Sequence, residues 1–268
     1  MIGLSTYAFF WQHSDRAPTP LGLADMLAKS HALGAEVFQI CDYAPIFSYS
    51  TAQLGDIRRQ ASELGIVLEL GTRGIQPEHL QTCLRVAEAL GSRLIRSMVN
   101  SSDHRPTLTE AEQLIRQTLP GFEAAGVTVA LETYEQLSSR DLVSLVEAVG
   151  SEQLGICLDP ANCVAALEYP VDVIDRCAPY VKNLHVKDFA FTRRGGWVGF
   201  TLEGVELGKG LLPYEYMIGK VDPDARGINR ILEHWLTWQE SFEQTREIED
   251  LWNTRNHDFM RRADKGRP

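Results

Sequence analysis

Three features of this chain predict an α/β fold, a single (β/α)8 TIM barrel over residues 1–268 with a C-terminal helix at about 238–263. The first is a recurring unit in which a helical stretch ends in glycine and a β-rich run follows: "ALGAEVFQI" at 32, "ELGIVLEL" at 63, "ALGSRLIRSM" at 89 and "AAGVTVALET" at 124. The second is the number of such runs. With "LGICLDP" at 154, "VKNLHVKD" at 181, "INRILEHW" at 228 and the N-terminal run, eight candidate strands begin near 2, 36, 66, 93, 127, 154, 181 and 228. The first seven follow one another at roughly the 30-residue interval of βα units. The third is that no G-x-G-x-x-G follows the first strand, so an open doubly wound sheet gains no support.

The intervening segments fit the same plan. "LGDIRRQASEL" and "TEAEQLIRQTL" have helical spacing, and Thr109 followed by Glu112 matches a capping box. The longest gap between strands holds "TRRGGWVGFTLEGVELGKG", which reads as a Gly-rich loop near a site. "QESFEQTREIEDLWNTRNHDFMRR" reads as a polar helix that caps the barrel or meets a partner subunit.

Composition narrows the function. At 44% hydrophobic and 23% charged the chain is of soluble globular type. It has no basic leader before "MIGLSTYAFFWQ" and no apolar run of membrane-spanning length, so the expectation is a cytoplasmic protein without membrane contact. A net charge of −10 argues against a nucleic-acid partner. It leaves room for an anionic small molecule in a locally basic pocket. The five cysteines, 41, 83, 157, 163 and 177, lack C-x-x-C spacing and are expected to be buried thiols.

Chemistry in such a barrel sits at the C-terminal ends of the strands, on side chains pointing toward the axis. In "VTVALETY" the outward set Val127, Val129 and Leu131 leaves Glu132 and Tyr134 inward. In "LGICLDP" the inward set is Gly155, Cys157 and Asp159. In "VKNLHVKD" it is Asn183, His185 and Lys187, and in "INRILEHW" Glu233 shares the inward face with Ile231. Glu132, Asp159, His185 and Glu233 thus reach one rim. Three carboxylates brought together repel unless a cation compensates them. Three oxygen donors and an imidazole suit Mn²⁺ or Mg²⁺, with Co²⁺ and Zn²⁺ also compatible.

Other residues carry two readings each. Arg73, on the axial side with Glu69, and Arg96 are candidates with Lys187 for binding a carboxylate or phosphate; the alternative pairs Arg73 with Glu69 and Arg96 with another rim acid. Phe9, Phe10, Trp11 and His13 form either an apolar wall for a sugar face or ordinary packing. His234 lies on the opposite strand face from Glu233 and is expected to be structural, and Lys209 is expected to be solvated.

"VALET", "GICLDPAN", "YVKNLHVKD", the "ELGKG" turn and a late strand ending in Glu, in this order over nearly the whole chain, resemble the sugar phosphate isomerase/epimerase family, the xylose-isomerase-like TIM barrels. The resemblance implies a divalent metal on Glu132, Asp159, His185 and Glu233, with Glu132 and Glu233 also catalytic as acid and base on opposite sides of the substrate. It implies a small carbohydrate, sugar-acid or sugar-phosphate substrate and a homo-oligomer. One departure stands out: ketose epimerases and hydroxypyruvate isomerases of this type place a histidine where Asn162 stands, at a position that touches substrate.

The leading expectation is an isomerase or epimerase working through an enediolate, with Arg73, Arg96, Tyr134, Asn162 and Lys187 around the substrate. The second is a lyase of the same fold, since family members that decarboxylate 3-oxo-isoapionate or dehydrate dehydroshikimate resemble this chain in their metal residues. A non-catalytic carbohydrate-binding protein is the rival from another class. A multi-zinc DNA-repair nuclease of this fold would need several more histidines than the late strands supply.

Overall fold

The computed structural model describes residues 1–196 and 198–265. Strands form where β-branched and aliphatic residues cluster, and eight of them close into a parallel barrel. They are β1 Ile2–Ser5, β2 Val37–Cys41, β3 Val67–Gly71, β4 Leu94–Ser97, β5 Thr128–Glu132, β6 Leu154–Leu158, β7 Val181–Val186 and, after two further strands outside the barrel, β10 Asn229–Leu232. The ring order is β1-β10-β7-β6-β5-β4-β3-β2. Each starts within one residue of its expected position. Chain order is ring order because every βα unit turns the same way, which is what the right-handed crossover rule requires.

Around the barrel run α1 Leu23–Ala32, α2 Thr51–Glu63, α3 Pro77–Leu90, α4 Leu108–Ala125, α5 Ser139–Val149, α6 Pro170–Cys177 and α7 Tyr214–Val221. The glycine punctuation works as a helix stop: Gly91 and Gly126 close α3 and α4 at φ 72° and 60°. The core lies between the two rings. Phe38, Ile40, Leu70, Ile95, Leu131, Ile156 and Leu184 point outward from the strands and are 0% exposed. Phe122 of α4 packs among them at 1% exposure, and truncating it to Ala is expected to cost about 3–5 kcal/mol.

Three expectations need correction. The capping box of α4 is Thr107 with Glu110, where the Glu110 N–H reaches Thr107 Oγ1 at 3.3 Å and the Thr107 N–H reaches Glu110 Oε2 at 2.8 Å. The T-x-x-E spacing occurs twice in succession, and the earlier copy starts the helix, leaving Glu112 to pair with Arg116. The insertion is an antiparallel hairpin, β8 Asp188–Arg193 with β9 Phe200–Val205, rather than a loop. Phe189, Phe191, Leu202 and Val205 supply strand character on both sides of the glycines; Trp197 of this insertion lies outside the described residues. The C-terminal helix, α8, spans Phe242–Lys265 and begins four residues later than expected, because Ser241 Oγ accepts the Gln244 N–H and so caps it there.

Asp188 explains the "ELGKG" motif. Its Oδ1 accepts the N–H groups of Phe189 and Leu212, and its Oδ2 those of Gly208 and Gly210, all at 2.9 Å. A Cβ on Gly210 would lie 2.3 Å from Asp188 Oδ1, so only glycine allows the turn to wrap this carboxylate. Lys209 points outward to Glu206 at 2.9 Å.

The five cysteines are free and buried. His234 is buried against α8, with Nε2 2.8 Å from Asn253 Oδ1, and burial lowers its pKa to about 4. Among the described residues no helix is long and apolar enough to cross a membrane.

Candidate metal centre and substrate cleft

Four contiguous strands of the ring, β5, β6, β7 and β10, deliver the candidate ligands. Glu132 ends β5, Asp159 follows β6, His185 lies on β7 and Glu233 follows β10. All four are buried, and one ligand atom from each lies within 4.8 Å of the others. His185 Nδ1 is 3.2 Å from Glu132 Oε1, 3.4 Å from Glu233 Oε2 and 4.0 Å from Asp159 Oδ2. Donors held about 2.1 Å from one small divalent ion lie up to about 4.2 Å apart. The four groups are therefore a small side-chain adjustment from a shared centre. The residues fit a hard divalent cation.

Neighbouring groups aim each ligand. The Oδ1 of Asp159 caps the short helical turn Pro160–Cys163, accepting from Ala161 and Asn162, which leaves Oδ2 facing the centre. Ser5 Oγ donates to Glu233 Oε1 at 3.0 Å. The Asn162 side-chain amide donates to Glu132 Oε1 at 2.9 Å. Lys187 Nζ stands 2.8 Å from Asp159 Oδ2 and 3.1 Å from Glu233 Oε2, over the Trp235 ring at 4.9 Å. That ammonium compensates part of the negative charge of the buried carboxylates.

Electrostatics separate the carboxylates. Burial raises the pKa of Glu132, but Arg96 and His185 outweigh it and hold the carboxyl below its usual range. Burial also opposes ionisation of Glu233, and His185 with Lys187 pull it well below. For Asp159 burial prevails over Lys187, and its pKa rises to about 6. Lys187 stays an ammonium because Asp159 and Glu233 overcome its burial.

Arg96 is 2% exposed, with Nη2 2.5 Å from Glu132 Oε2 and Nη1 3.6 Å from Asp42 Oδ1 and 2.9 Å from the Thr72 carbonyl. It steadies Glu132 from beneath. Arg73 is half-exposed and pairs with Asp42 rather than Glu69, Nε to Oδ2 at 2.9 Å, while Nη2 donates to the Tyr7 hydroxyl at 2.7 Å. Glu69 is buried deeper in the barrel. Above these groups opens a cleft of about 600 Å³, lined in part by Asp42, Arg73, Asn100 and Tyr134 from the loops after β2 to β5 and by His79 of α3. A much smaller recess shares Asn100, Tyr134 and Gln136 with that cleft and has Glu132 in its lining.

In the aromatic stretch after β1, Phe9 and Trp11 pack away from that cleft, whereas Phe10 is exposed and stacks on Tyr7. Phe9 is in the core, and Trp11 Nε1 donates to the Leu236 carbonyl at 2.7 Å, edge-on to Trp238.

Three members of the site escaped sequence reading. Asp42 holds both arginines from a left-handed backbone at φ 48°, a conformation that costs energy in a non-glycine residue and tends to occur at functional sites. The acid directly after "FQIC" was its only trace. Gln39 and Ser5 sit in strands whose neighbours are apolar, where single polar residues carry no periodic signal.

The comparisons agree with this architecture. The profile of the xylose isomerase-like TIM barrel family matches residues 27–252. The 3-oxo-isoapionate decarboxylase of Pectobacterium atrosepticum is 53% identical over 259 residues, covering 97% of this chain and 94% of that protein. D-psicose 3-epimerase of Clostridium cellulolyticum, solved with D-tagatose, superposes with TM-score 0.76 at 14% identity, covering 98% of each chain. A xylose isomerase-like TIM barrel protein of Mycobacterium smegmatis in complex with magnesium superposes with TM-score 0.70 at 15% identity, covering 94% of this chain and 96% of that one. The match over most of its length and the relative at 53% identity show that the chain belongs to the xylose isomerase-like TIM barrel family.

Proposed function

We propose that the protein is a divalent-metal-dependent lyase that decarboxylates a 3-oxo sugar acid at the Glu132–Asp159–His185–Glu233 centre. The observation that carries the choice of reaction is the 53% identity to a 3-oxo-isoapionate decarboxylase across 97% of the chain. This reverses the order expected from sequence, in which isomerase or epimerase came first. The epimerase superposition at 14% identity speaks for the fold alone. Asn162 adds support, since an amide stands where family ketose epimerases have an imidazole on the substrate, and here it is engaged with Glu132.

The chemistry asks little beyond what these residues supply. In a 3-oxo acid the C1–C2 bond breaks, CO₂ departs, and its electron pair delocalises from C2 onto the ketone oxygen. A divalent ion bound by the four ligands supplies a Lewis acid for that oxygen, with Mn²⁺ or Mg²⁺ favoured by the donor set. C2 then takes up one proton from solvent, relayed through Glu132 or Glu233, each of which rests as a carboxylate and gains that proton before passing it on. Asn162 and Arg96 hold Glu132 in place, and Ser5 holds Glu233. Lys187 lies within reach of the same oxygen-rich centre, where its ammonium can hydrogen-bond a substrate hydroxyl. Arg73 and Tyr134, at the cleft, are assigned to the acid's carboxylate and the sugar chain.

The test incubates Mn²⁺-loaded protein with 3-oxo-isoapionate, other 3-oxo sugar acids, ketoses and sugar phosphates. CO₂ release is measured directly, and proton NMR in D₂O follows deuterium incorporation. The reading expects CO₂ from an oxo acid and its loss in Glu132→Gln. Solvent exchange of a ketose without CO₂ would transfer the site to an isomerase. Carbohydrate binding with no turnover of any compound would favour a non-catalytic role.

A further inference from the structure

Below the candidate metal centre the barrel axis is polar, where such barrels ordinarily stack Val, Ile and Leu. Gln39 on β2 pairs in register with Glu69 on β3, and Asn183 on β7 with Asn229 on β10. Glu69 accepts from Gln39 Nε2 at 2.9 Å, Asn183 Nδ2 at 3.0 Å and Asn229 Nδ2 at 2.6 Å. A carboxylate only accepts, whereas an amide has one donating and one accepting end. Glu69 therefore decides which end of each amide faces it.

For Gln39 the choice is doubly fixed, because its amide nitrogen also donates to Asn183 Oδ1 at 3.1 Å. Turning it over would set its carbonyl against two acceptors. Its Oε1 consequently faces His185 Nε2, 2.8 Å away. Cys41 Sγ, also 2.8 Å from that oxygen, is a further donor on an acceptor. An accepting oxygen calls for hydrogen on Nε2. The other ring nitrogen, Nδ1, is the one that faces Glu132, Asp159 and Glu233.

We infer that Gln39 and Glu69 are positioning residues, which through hydrogen-bond direction keep hydrogen on His185 Nε2 and so leave Nδ1 as the nitrogen that exchanges its hydrogen for the cation. This rests on the metal reading above and adds which nitrogen binds and what selects it. It also chooses between two ligand sets. Cys41, His185 and Glu233 stand close enough to share an ion as well. With Nε2 engaged by Gln39, the imidazole has one nitrogen left, and that one lies among the three carboxylates.

The experiment records two-bond ¹H–¹⁵N spectra of full-length ¹⁵N-labelled protein loaded with diamagnetic Mg²⁺ or Zn²⁺, and measures Mn²⁺ affinity by electron paramagnetic resonance. In the wild type the His185 hydrogen is expected on Nε2. Gln39→Met and Glu69→Met, similar in volume but unable to direct the amide, are expected to weaken Mn²⁺ binding roughly 10- to 100-fold. Glu69→Gln, which can keep an accepting oxygen toward Gln39 and Asn183, should bind nearly as wild type. Hydrogen on Nδ1 in the loaded wild type overturns the inference whether or not the variants fold. So does a folded Gln39→Met with unchanged Mn²⁺ affinity, or a Glu69→Gln as weak as Glu69→Met. A wild type that binds no divalent ion defeats the metal reading itself, and this inference with it.

Discussion

Arg96 and Glu132 form an ion pair sealed from water, Nη2 to Oε2 at 2.5 Å, with side chains 2% and 1% exposed. Removing one member of a buried pair leaves the other as an uncompensated charge. Arg96→Met is therefore expected to cost about 3–5 kcal/mol in urea unfolding. The sign with pH follows from Glu132, whose carboxyl is held below its usual range. Such a group stabilises the fold above its unfolded pKa, and that contribution is lost as pH falls through the folded value. Without Arg96 the pull opposing burial weakens, so the acid limb of the pH–activity profile should move toward neutrality. An unmoved limb would show that Arg96 does not tune Glu132.

A divalent ion that binds only the folded chain raises stability by mass action. Free ion at 100 times its dissociation constant should add about 2.7 kcal/mol. Melting curves with Mn²⁺ and after EDTA should differ accordingly, and Asp159→Asn or Glu233→Gln should abolish the difference. Equal melting temperatures in the wild type would count against the centre.

Away from the candidate metal centre, Glu249 of α8 accepts the N–H groups of Trp11 at 2.9 Å and Gln12 at 3.2 Å. Burial, only partly offset by those bonds, pushes its pKa up to about 7. A carboxyl raised in the fold favours the protonated state, so its contribution is complete below its unfolded pKa near 4.5 and declines as pH rises to about 7. The span is worth on the order of 3 kcal/mol. Thermal melting between those pH values should show this decline, and Glu249→Gln should flatten it.

The Asp188 turn offers a test of motif reading. Asp188→Asn would turn an NH₂ group toward two backbone N–H donors, an expected loss of about 1–3 kcal/mol by chemical denaturation. Gly210→Ala should also destabilise, because its Cβ would meet Asp188 Oδ1 and the Phe189 carbonyl, each at 2.3 Å. Unchanged stability in both would make "ELGKG" an ordinary loop.

What was legible in the chain had a period. Strand alternation gave the barrel strands to within a residue, and the same alternation carried Glu132, Asp159, His185 and Glu233 to one rim. What was missed depends on contacts distant in sequence. Gln39 interrupts an apolar strand once, and its meaning comes from Glu69, thirty positions later, and His185, far beyond. Asp42 matters because Arg73 and Arg96 converge on it, which no local pattern reveals. The hairpin at Asp188–Val205 was hidden by its glycines, which dominate the local signal although Phe and Leu form its strands. Thr107 and Thr109 offer the same spacing, and only the folded helix distinguishes them.

The ring places the candidate ion site and the large cleft on different arcs. The candidate ion cage hangs on β5, β6, β7 and β10, while the candidate substrate cleft is furnished largely by the segments following β2, β3 and β4. Replacements in those three segments, Asp42 apart because it holds Arg96 against Glu132, can reshape that cleft without touching a candidate ligand. Such a layout would let specificity drift while the ion cage persists.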